Sequence, residues 1–173
     1  MRKFKMRCAL VLLCSAVAFG WATDKSRQKD DKERQHEHGQ NRGIVQQVFD
    51  EVVNKGDFER VNQIYAPNCV IHHNNQTMGL NEAVKDAREW RAAAPDTTMT
   101  VEKIDGEKDR LTVHWIARGT NTGAGHGLTA SGKKFMVRGH TGFRIANGKI
   151  VEEWNDFNEE EIFKQLGQTP KKR

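Results

Sequence analysis

The sequence predicts an α+β domain in which helices come first and a curved antiparallel sheet follows. Apolar residues recur at helical spacing between Arg42 and Ala93. From Thr98 to Phe157 the pattern changes to β-rich segments that are separated by turn-forming residues. Because strands joined by tight turns pair antiparallel, we expect the helices to cover one face of a single sheet.

Three helices are expected before the sheet. The first ends at Gly56, and the second begins at Asp57, a residue type that caps helices, and stops before Pro67. A short strand at residues 69–73 follows this helical hairpin. A third helix is predicted at residues 80–93, where the apolar positions again follow the 3.6-residue period.

The β-rich half divides into four strands and a short C-terminal helix. Turn signals at Asp105-Gly106 and at Ala146-Asn147-Gly148 favour consecutive hairpins. Gly119, Gly139 and Gly142 are positions where the sheet can bend to enclose space. The predicted strands are Thr98 to Ile104, Arg110 to Thr120, Lys134 to Ile145 and Lys149 to Phe157.

The first 22 residues have the pattern of a secretory signal peptide. Basic residues precede an apolar run from Cys8 to Phe19, and this run is too short for a comfortable membrane span. Cleavage can follow Ala18 or Ala22. We therefore expect a periplasmic or secreted protein that has no stable membrane anchor after the leader is removed.

The remaining chain is expected to form a disordered polar linker at 23–41, one domain at 42–168 and a basic tail at 169–173. Four of the 28 basic residues and none of the 23 acidic residues lie in the leader, so the mature chain is nearly neutral. It has no basic stripe with interleaved aromatic residues, which argues against a nucleic-acid partner. Cys69 is the one cysteine left after the leader, so no internal disulfide forms, and we expect Cys69 to be buried.

The last strand carries the most informative pattern. By the period-2 rule, Trp154, Asp156 and Asn158 share one face with residues 150 and 152. A strand that directs an aromatic ring, a carboxylate and an amide to one side, and then runs into a short amphipathic helix, is typical of a pocket wall. We therefore expect this face to line a pocket.

Four short motifs occur in the second half of the chain: G-T-N-T-G at 119–123, G-L-T-A-S-G-K at 127–133, N-G-K-I-V-E-E-W at 147–154 and Q-L-G at 165–167. Together they resemble the SnoaL-like, or polyketide-cyclase-like, branch of the nuclear transport factor 2-like superfamily. The resemblance covers about Arg42 to Gly167. It implies a cone of three helices on a strongly curved sheet with a pocket inside, and a homodimer that pairs through the exposed side of the sheet.

Members of this superfamily include ring-closing cyclases, isomerases, dehydratases, epoxide hydrolases and non-catalytic binding modules. By resemblance, the acidic side chain that makes the enolate lies four residues after the tryptophan of the E-E-W motif. Asn158 occupies that position here, and an amide does not accept a proton near neutral pH. Asp156 is the nearby replacement. Asn121 stands where related sequences often have histidine, with His126 as the substitute five residues later.

Proton abstraction beside a carbonyl needs a base and a donor to the developing oxyanion. Asp156 is the expected base, and Asn158 or His140 the expected donor. The strand at 111–118 can direct either Trp115 or His114 and Arg118 inward, and the pattern leaves this open. No metal is expected, because His72, His114, His126 and His140 lack a ligand spacing. The residues expected to bind substrate are Trp154, His72, His114, Trp115, Arg118, Asn121 and His126.

These expectations predict an exported, cofactor-free enzyme of the cyclase, isomerase or lyase type. Its substrate would be a small apolar carbonyl compound, and its chemistry acid–base catalysis. The alternative is a non-catalytic module of the same fold that binds a small apolar molecule, which the missing family acid favours.

Overall fold

The computed structural model describes residues 17–74 and 76–169, with side chains from Arg27 onward. Helices precede and follow one six-stranded sheet, which is curved and does not close into a barrel. The α+β class predicted from the sequence is therefore confirmed. The part of the predicted leader before residue 17 and the tail after residue 169 lie outside the described residues.

The helical segments lie mainly before the sheet. Among the described residues, no helix is both long and apolar enough to cross a lipid bilayer. The segments are α1 (Val17–Gln47), which continues as a π-helix (Val48–Asn54), a 3-10 turn (Phe58–Arg60), α2 (Val61–Ile64), α3 (Leu80–Ala93) and α4 (Glu159–Leu166).

The six strands pair in the order β2-β1-β6-β5-β4-β3. The last four strands in the chain form consecutive antiparallel pairs, as the turn signals predict. β1 completes the sheet through a parallel pairing with β6 and an antiparallel pairing with β2. The strands are β1 (Tyr65–His73), β2 (Gln76–Gly79), β3 (Thr98–Glu107), β4 (Arg110–Thr120), β5 (Lys134–Ala146) and β6 (Lys149–Phe157).

The polar segment at 23–41 is helical in the structure, where the sequence predicts a linker. The chain divides into two compact units, of which the first ends at His36 and the second begins at Glu37. In the first unit, the described side chains from Arg27 onward are exposed. In the second unit, Asn41 is buried and its Nδ2 donates to the carbonyl oxygen of Lys108 at 3.0 Å. Lys, Arg, Glu and Gln favour helix, which explains why this polar composition forms a helix rather than a loop.

The second predicted helix is shorter than expected. It ends at Ile64, because Tyr65 already has extended backbone angles and begins β1. Pro67 lies within β1, in the stretch between Tyr65 and Val70 where the pairing with β6 shifts register. Proline has no N–H to donate to a sheet, and such an irregular stretch is where a strand tolerates it.

Two details of the sheet also differ from the prediction. The turn between β3 and β4 lies at residues 108–109 rather than at Asp105-Gly106, and β3 continues to Glu107. Gly106 has a φ of +116° within the strand, and a Cβ there would collide with the carbonyl oxygen of Arg110. β2 is absent from the sequence prediction, because four residues are too few to show a period.

A β-bulge in β6 reverses the faces of that strand. Ile150 pairs with Ile145 and Glu152 pairs with Arg144, so Val151 is an extra residue without a partner on β5. Ile150 is fully buried on the inner face. After the bulge, Glu153, Asn155 and Phe157 face inward, while Glu152, Trp154 and Asp156 face outward. The expectation that the even-numbered residues form the pocket wall is therefore wrong.

The core determines which face of β4 points inward. The buried residues of this strand are Leu111, Val113, Trp115 and Ala117. Of the two orientations that the sequence left open, the structure therefore has the one in which Trp115 points inward. The indole of Trp115 lies against Gly139 on β5, where an added methyl group would lie 2.6 Å from the ring and 2.7 Å from Phe157 Cβ. The glycine therefore provides the space for the indole.

We expect Gly139→Ala to lower the free energy of unfolding by about 1–3 kcal/mol, because the added methyl group forces Trp115 and Phe157 apart. Gly142→Ala, in the same strand, is the matched control, since its Cβ would lie 3.5 Å from Trp154 in ordinary contact. Urea unfolding of the three proteins measures the difference. Equal midpoints for the two variants would contradict this packing.

Candidate functional site

A cavity of about 240 Å³ lies between the helices and the inner face of the sheet. Most of its wall is apolar, and aromatic rings from both layers contribute to it. A cavity with such a lining favours a small apolar ligand that is oriented by a few polar groups. The apolar lining includes Phe49, Phe58, Trp90, Trp115, Phe143 and Phe157, and the polar lining consists of His73, Asp86, Arg91, Thr97, Thr141, Glu153 and Asn155.

Glu153 is the carboxyl group that the bulge in β6 directs into this cavity. The hydroxyl of Tyr65 donates to Glu153 Oε2 at 2.6 Å, and Asn155 Nδ2 donates to Glu153 Oε1 at 2.6 Å. Asn155 is held in turn, because the hydroxyl of Thr141 donates to its Oδ1 at 2.9 Å and Trp115 Nε1 donates to that hydroxyl at 2.9 Å. A continuous hydrogen-bonded chain therefore fixes the carboxyl group within an apolar wall.

Burial raises the pKa of Glu153 above its ordinary value of 4.5, although the hydrogen bonds from Tyr65 and Asn155 and the nearby His73 oppose the shift. The same surroundings raise the pKa of Tyr65 well above 10, first by burial and then by the adjacent carboxylate. Tyr65 thus remains a donor. A carboxyl group with a raised pKa can hold or release a proton nearer neutral pH than an exposed one, as acid–base catalysts do.

A second polar cluster closes the same region of the cavity. His126 is buried, with 3% of its side chain exposed, and its two ring nitrogens contact two carboxylates. Nδ1 lies 3.0 Å from Asp86 Oδ1, and Nε2 lies 2.6 Å from Glu159 Oε1. The indole of Trp90 stacks on the imidazole with ring centroids 3.9 Å apart. His73 Nε2 lies 3.5 Å from the other oxygen of Glu159.

The charges in this cluster reinforce one another. Burial alone lowers the pKa of His126, but the hydrogen bonds to Asp86 and Glu159 outweigh it and raise the pKa above 6.5. The hydrogen bonds from His126 and then His73 lower the pKa of Glu159 to about 2. Near neutral pH, Glu159 is therefore an anion held between two imidazole rings. The cluster connects α3, the loop that carries His126, and the start of α4.

Part of this cluster has the composition of a metal site. Donor atoms of Asp86, Glu89 and His126 all lie within 4.8 Å of one another. Within the described part of the chain, these three residues are the group whose spacing could suit a cation. Both nitrogens of His126 already contact carboxylates, so a cation would have to replace one of these contacts. The hydrogen bonds explain the geometry of the cluster without a metal.

Several residues that the sequence pattern predicts at the site lie instead on the outer face of the sheet. The ring of His72 stacks on Trp154 with centroids 5.5 Å apart. His140 Nε2 lies 3.5 Å from Asp156 Oδ2, and the Asp156 side chain is 74% exposed. His114 pairs with a carboxylate of β3 at 3.3 Å. These five residues, including the expected base, therefore form contacts on the outer face and do not line the cavity.

The remaining candidates have other positions. Asn158 caps α4 by accepting a hydrogen bond from the backbone N–H of Glu161, so the side chain at the family's acid position has a structural contact. Arg118 is exposed beside a shallow surface depression with Asp96 and Lys134. Of all the expected residues, Trp115 lines the cavity and His126 lies directly behind its wall.

Asn121 is fully buried and organises the loop between β4 and β5. Its Nδ2 donates to the carbonyl oxygens of Ala93 and Gly123, and its Oδ1 accepts from Ser131 and from Gln168 Nε2. This residue uses its whole hydrogen-bonding capacity within the protein. It shapes the loop that carries His126 rather than the cavity wall.

Sequence reasoning misses Glu153, Tyr65 and His73 as cavity residues. The signal for Glu153 is present, because it is the second acid of the E-E-W motif, but strict alternation assigns it to the opposite face from the expected site. Tyr65 falls within a predicted helix. His73 is one of two adjacent histidines that point opposite ways, and the sequence does not say which faces the cavity. Pairing of β1 with β6 decides the matter, since it places His73 beside Asn155.

Comparisons with known proteins agree with the fold. A family model described as SnoaL-like polyketide cyclase matches residues 43–166. IdmH from Streptomyces antibioticus, assigned as a polyketide cyclase, is 25% identical, with a TM-score of 0.66 over 73% of this chain and 98% of that one. A protein from Jannaschia sp. CCS1, assigned as a SnoaL-like polyketide cyclase, is 22% identical, with a TM-score of 0.71 over 78% and 96%.

A further structural neighbour carries a different assignment. AclR from Streptomyces galilaeus, assigned as a hydroxylase, is 20% identical, with a TM-score of 0.70 over 79% of this chain and 86% of that one. No curated protein matches the chain. The fold is thus shared by proteins with different assigned activities, so the chemistry has to be argued from the residues of the cavity.

The His126 cluster predicts a pH-dependent stability. The raised pKa of His126 means that its contribution is complete below about 6.5 and is lost as the pH rises through the folded-state value. The lowered pKa of Glu159 means that its contribution is present above 4.5 and is lost as the pH falls towards 2. We expect His126→Gln to lower the free energy of unfolding by about 3 kcal/mol, with the largest effect between these pH limits, since it removes the buried imidazolium that joins the half-buried carboxylates of Asp86 and Glu159.

Urea unfolding at a series of pH values checks this. The control is His114→Gln, which removes an exposed histidine from a carboxylate pair on the outer face and should change stability by less than about 1 kcal/mol. A constant difference between wild type and His126→Gln from pH 4 to pH 9 would show that the charge on His126 contributes nothing.

Proposed function

This chain belongs to the SnoaL-like polyketide cyclase family, and we propose that it is an acid–base enzyme of the cyclase or isomerase type in which Glu153 transfers the proton. The observation that carries this proposal is the placement of Glu153. It is the carboxyl group of the inner face of β6, it lines an otherwise largely apolar cavity, and its pKa is raised by burial. This role replaces the one expected for Asp156, which faces outward.

The chemistry is proton abstraction beside a carbonyl group. In its ionised form Glu153 takes a proton from the carbon next to the carbonyl, and the resulting enol or enolate then closes a ring or is protonated at another carbon. A carboxylate that is poorly solvated is a stronger base towards a weak carbon acid, which is why burial suits this step. No cofactor is needed, because the carbonyl group itself accepts the electron pair.

The groups around Glu153 hold it ready for this reaction. Tyr65 and Asn155 each donate one hydrogen bond to a different oxygen of the carboxyl group. A carboxylate oxygen has a second lone pair, so each oxygen can still face a substrate. Trp115, Phe157 and Phe143 surround the position with aromatic surface, which favours a substrate with an apolar ring and keeps water away.

A second candidate function is a non-catalytic module that binds a small apolar molecule. It is favoured by two observations. Both oxygens of Glu153 already accept hydrogen bonds from the protein, and Asn158, at the family's acid position, caps α4. In this case the polar chain from Trp115 to Glu153 would orient a ligand rather than activate it.

Deuterium uptake in D₂O provides a general test, since enolisation exchanges the hydrogens next to a carbonyl. Mass spectrometry would follow a pooled panel of aryl ketones, cyclic ketones and 1,3-diketones with the wild-type protein. We expect Glu153→Gln to slow exchange by about 10²- to 10⁴-fold, the usual loss when a general base is removed. Glu160→Gln, an exposed neighbour on α4, is the matched control and should exchange like wild type.

The variant Asp156→Asn shows whether the base is the carboxyl group in the cavity, Glu153, or the one on the outer face, Asp156. Loss of exchange in Asp156→Asn with full exchange in Glu153→Gln would overturn the assignment of the base. If the wild type catalyses no exchange, but a panel compound quenches the tryptophan fluorescence saturably, the binding module is the better description.

A further inference from the structure

His73 lies on the same wall of the cavity as Glu153. It is on β1, where the parallel pairing places Ile71 beside Glu153 and His73 beside Asn155. His73 lines the cavity, with 16% of its side chain exposed, and its charge acts on the carboxyl group of Glu153. Two groups that can carry a proton therefore face the same ligand space from adjacent strands.

The ring of His73 is held in one orientation. Nε2 lies 3.5 Å from Glu159 Oε2 and 3.3 Å from Asn74 Nδ2, and the ring packs on Phe157 with centroids 5.0 Å apart. In the part of the chain that the structure describes, Nδ1 has no hydrogen-bond partner. One ring nitrogen is thus engaged by an anion, and the other is left for a ligand in the cavity.

Glu159 is suited to hold such a ring because its own position and charge are fixed. Its other oxygen lies 2.6 Å from Nε2 of the buried His126, and His126 is in turn bound to Asp86. Glu159 remains ionised down to a pKa of about 2. Asn74 Nδ2 could only donate to Nε2, but Asn74 is exposed and uncharged, so the fixed carboxylate of Glu159 outweighs it and favours the proton on Nε2, as in other carboxylate–histidine pairs.

We propose that His73 is the second proton-transfer group of the cavity, acting through Nδ1 on the carbonyl oxygen of the substrate, and that Glu159 is its positioning residue. This inference rests on the proposed role of Glu153 as the base. It assigns the substrate class more closely: a carbonyl compound whose oxygen reaches His73 while the adjacent C–H reaches Glu153.

The step balances without any further reactant. Glu153 takes the proton from the carbon, and the electrons of that C–H bond form the new C=C bond. The π electrons of the carbonyl group move to its oxygen, which takes the proton from Nδ1 of the His73 imidazolium. The products are the enol, protonated Glu153 and neutral His73, and reversal at another carbon, or attack by the enol carbon, completes the reaction.

Three acidic groups decide how this step depends on pH. Glu153 faces His73 from β6, Glu159 faces it from α4, and Asp86 lines the same cavity from α3. The reaction needs Glu153 ionised and a proton on its partner, so the base contributes the rising limb of the pH–rate profile and the proton donor contributes the falling limb. These limbs can be assigned by substitution.

The test measures the deuterium-exchange rate against pH for wild type, Glu153→Gln, His73→Gln and Glu159→Gln. We expect His73→Gln to lose about 10²-fold at the optimum and to lose the falling limb. Glu159→Gln should slow exchange by less than His73→Gln does, because the imidazole remains in the cavity but loses the carboxylate that positions it. Controls are Glu160→Gln and His36→Gln, both at exposed positions.

Nitrogen-15 NMR of the histidine rings gives a readout that does not depend on turnover. We expect neutral His73 to carry its proton on Nε2 in the wild type and to lose this preference in Glu159→Gln. A proton on Nδ1 in the wild type would overturn the inference, as would a His73→Gln profile that is merely scaled down with its falling limb in place.

The outcomes separate this inference from the proposed function. Loss of exchange in Glu153→Gln, with full exchange and an unchanged falling limb in His73→Gln, would overturn the role of His73 and leave that of Glu153 intact. If the wild type exchanges no compound in the panel, both proposals fail together.

Discussion

The β-bulge at Val151 controls the chemistry that the cavity can perform. Ile150 before the bulge and Glu153 after it both face inward, although strict alternation would place them on opposite sides of the sheet. Without the bulge, strict alternation from Ile150 would turn Trp154 inward and Glu153 outward. The carboxyl group would then meet solvent, and its pKa would lose the effect of burial.

The polar side chains around that carboxyl group form hydrogen bonds with other groups of the protein. The hydrogen-bonded chain from Trp115 through Thr141 and Asn155 to Glu153 runs across β4, β5 and β6, so three neighbouring strands of the inner wall contribute to it. A buried polar group costs little free energy only when it is hydrogen-bonded. The same chain that makes the cavity stable therefore also fixes the position of its reactive group.

The His126 cluster is built around ions rather than neutral hydrogen bonds. His126 joins α3 to α4 through two carboxylates, and Asn121 holds the loop that presents it. The two systems give the proposed pair of groups contrasting surroundings. Glu153 is surrounded by neutral donors and apolar surface, and burial there raises its pKa, whereas His73 faces an anion held by a second imidazole. Acid and base roles can be separated in this way within one cavity.

The sequence by itself determined the α+β class, the antiparallel pairing of the last four strands, the third helix and the family. These follow from periodicity, turn residues and short motifs, which are local properties of the chain. The tertiary structure alone decided which carboxyl group enters the cavity, because a bulge depends on how β6 pairs with β5. It also decided that Asn158 caps a helix, that Asn121 supports a loop, and that His73 rather than His140 faces the ligand space. Each of these depends on how the chain packs and pairs in three dimensions, and no local pattern records such contacts.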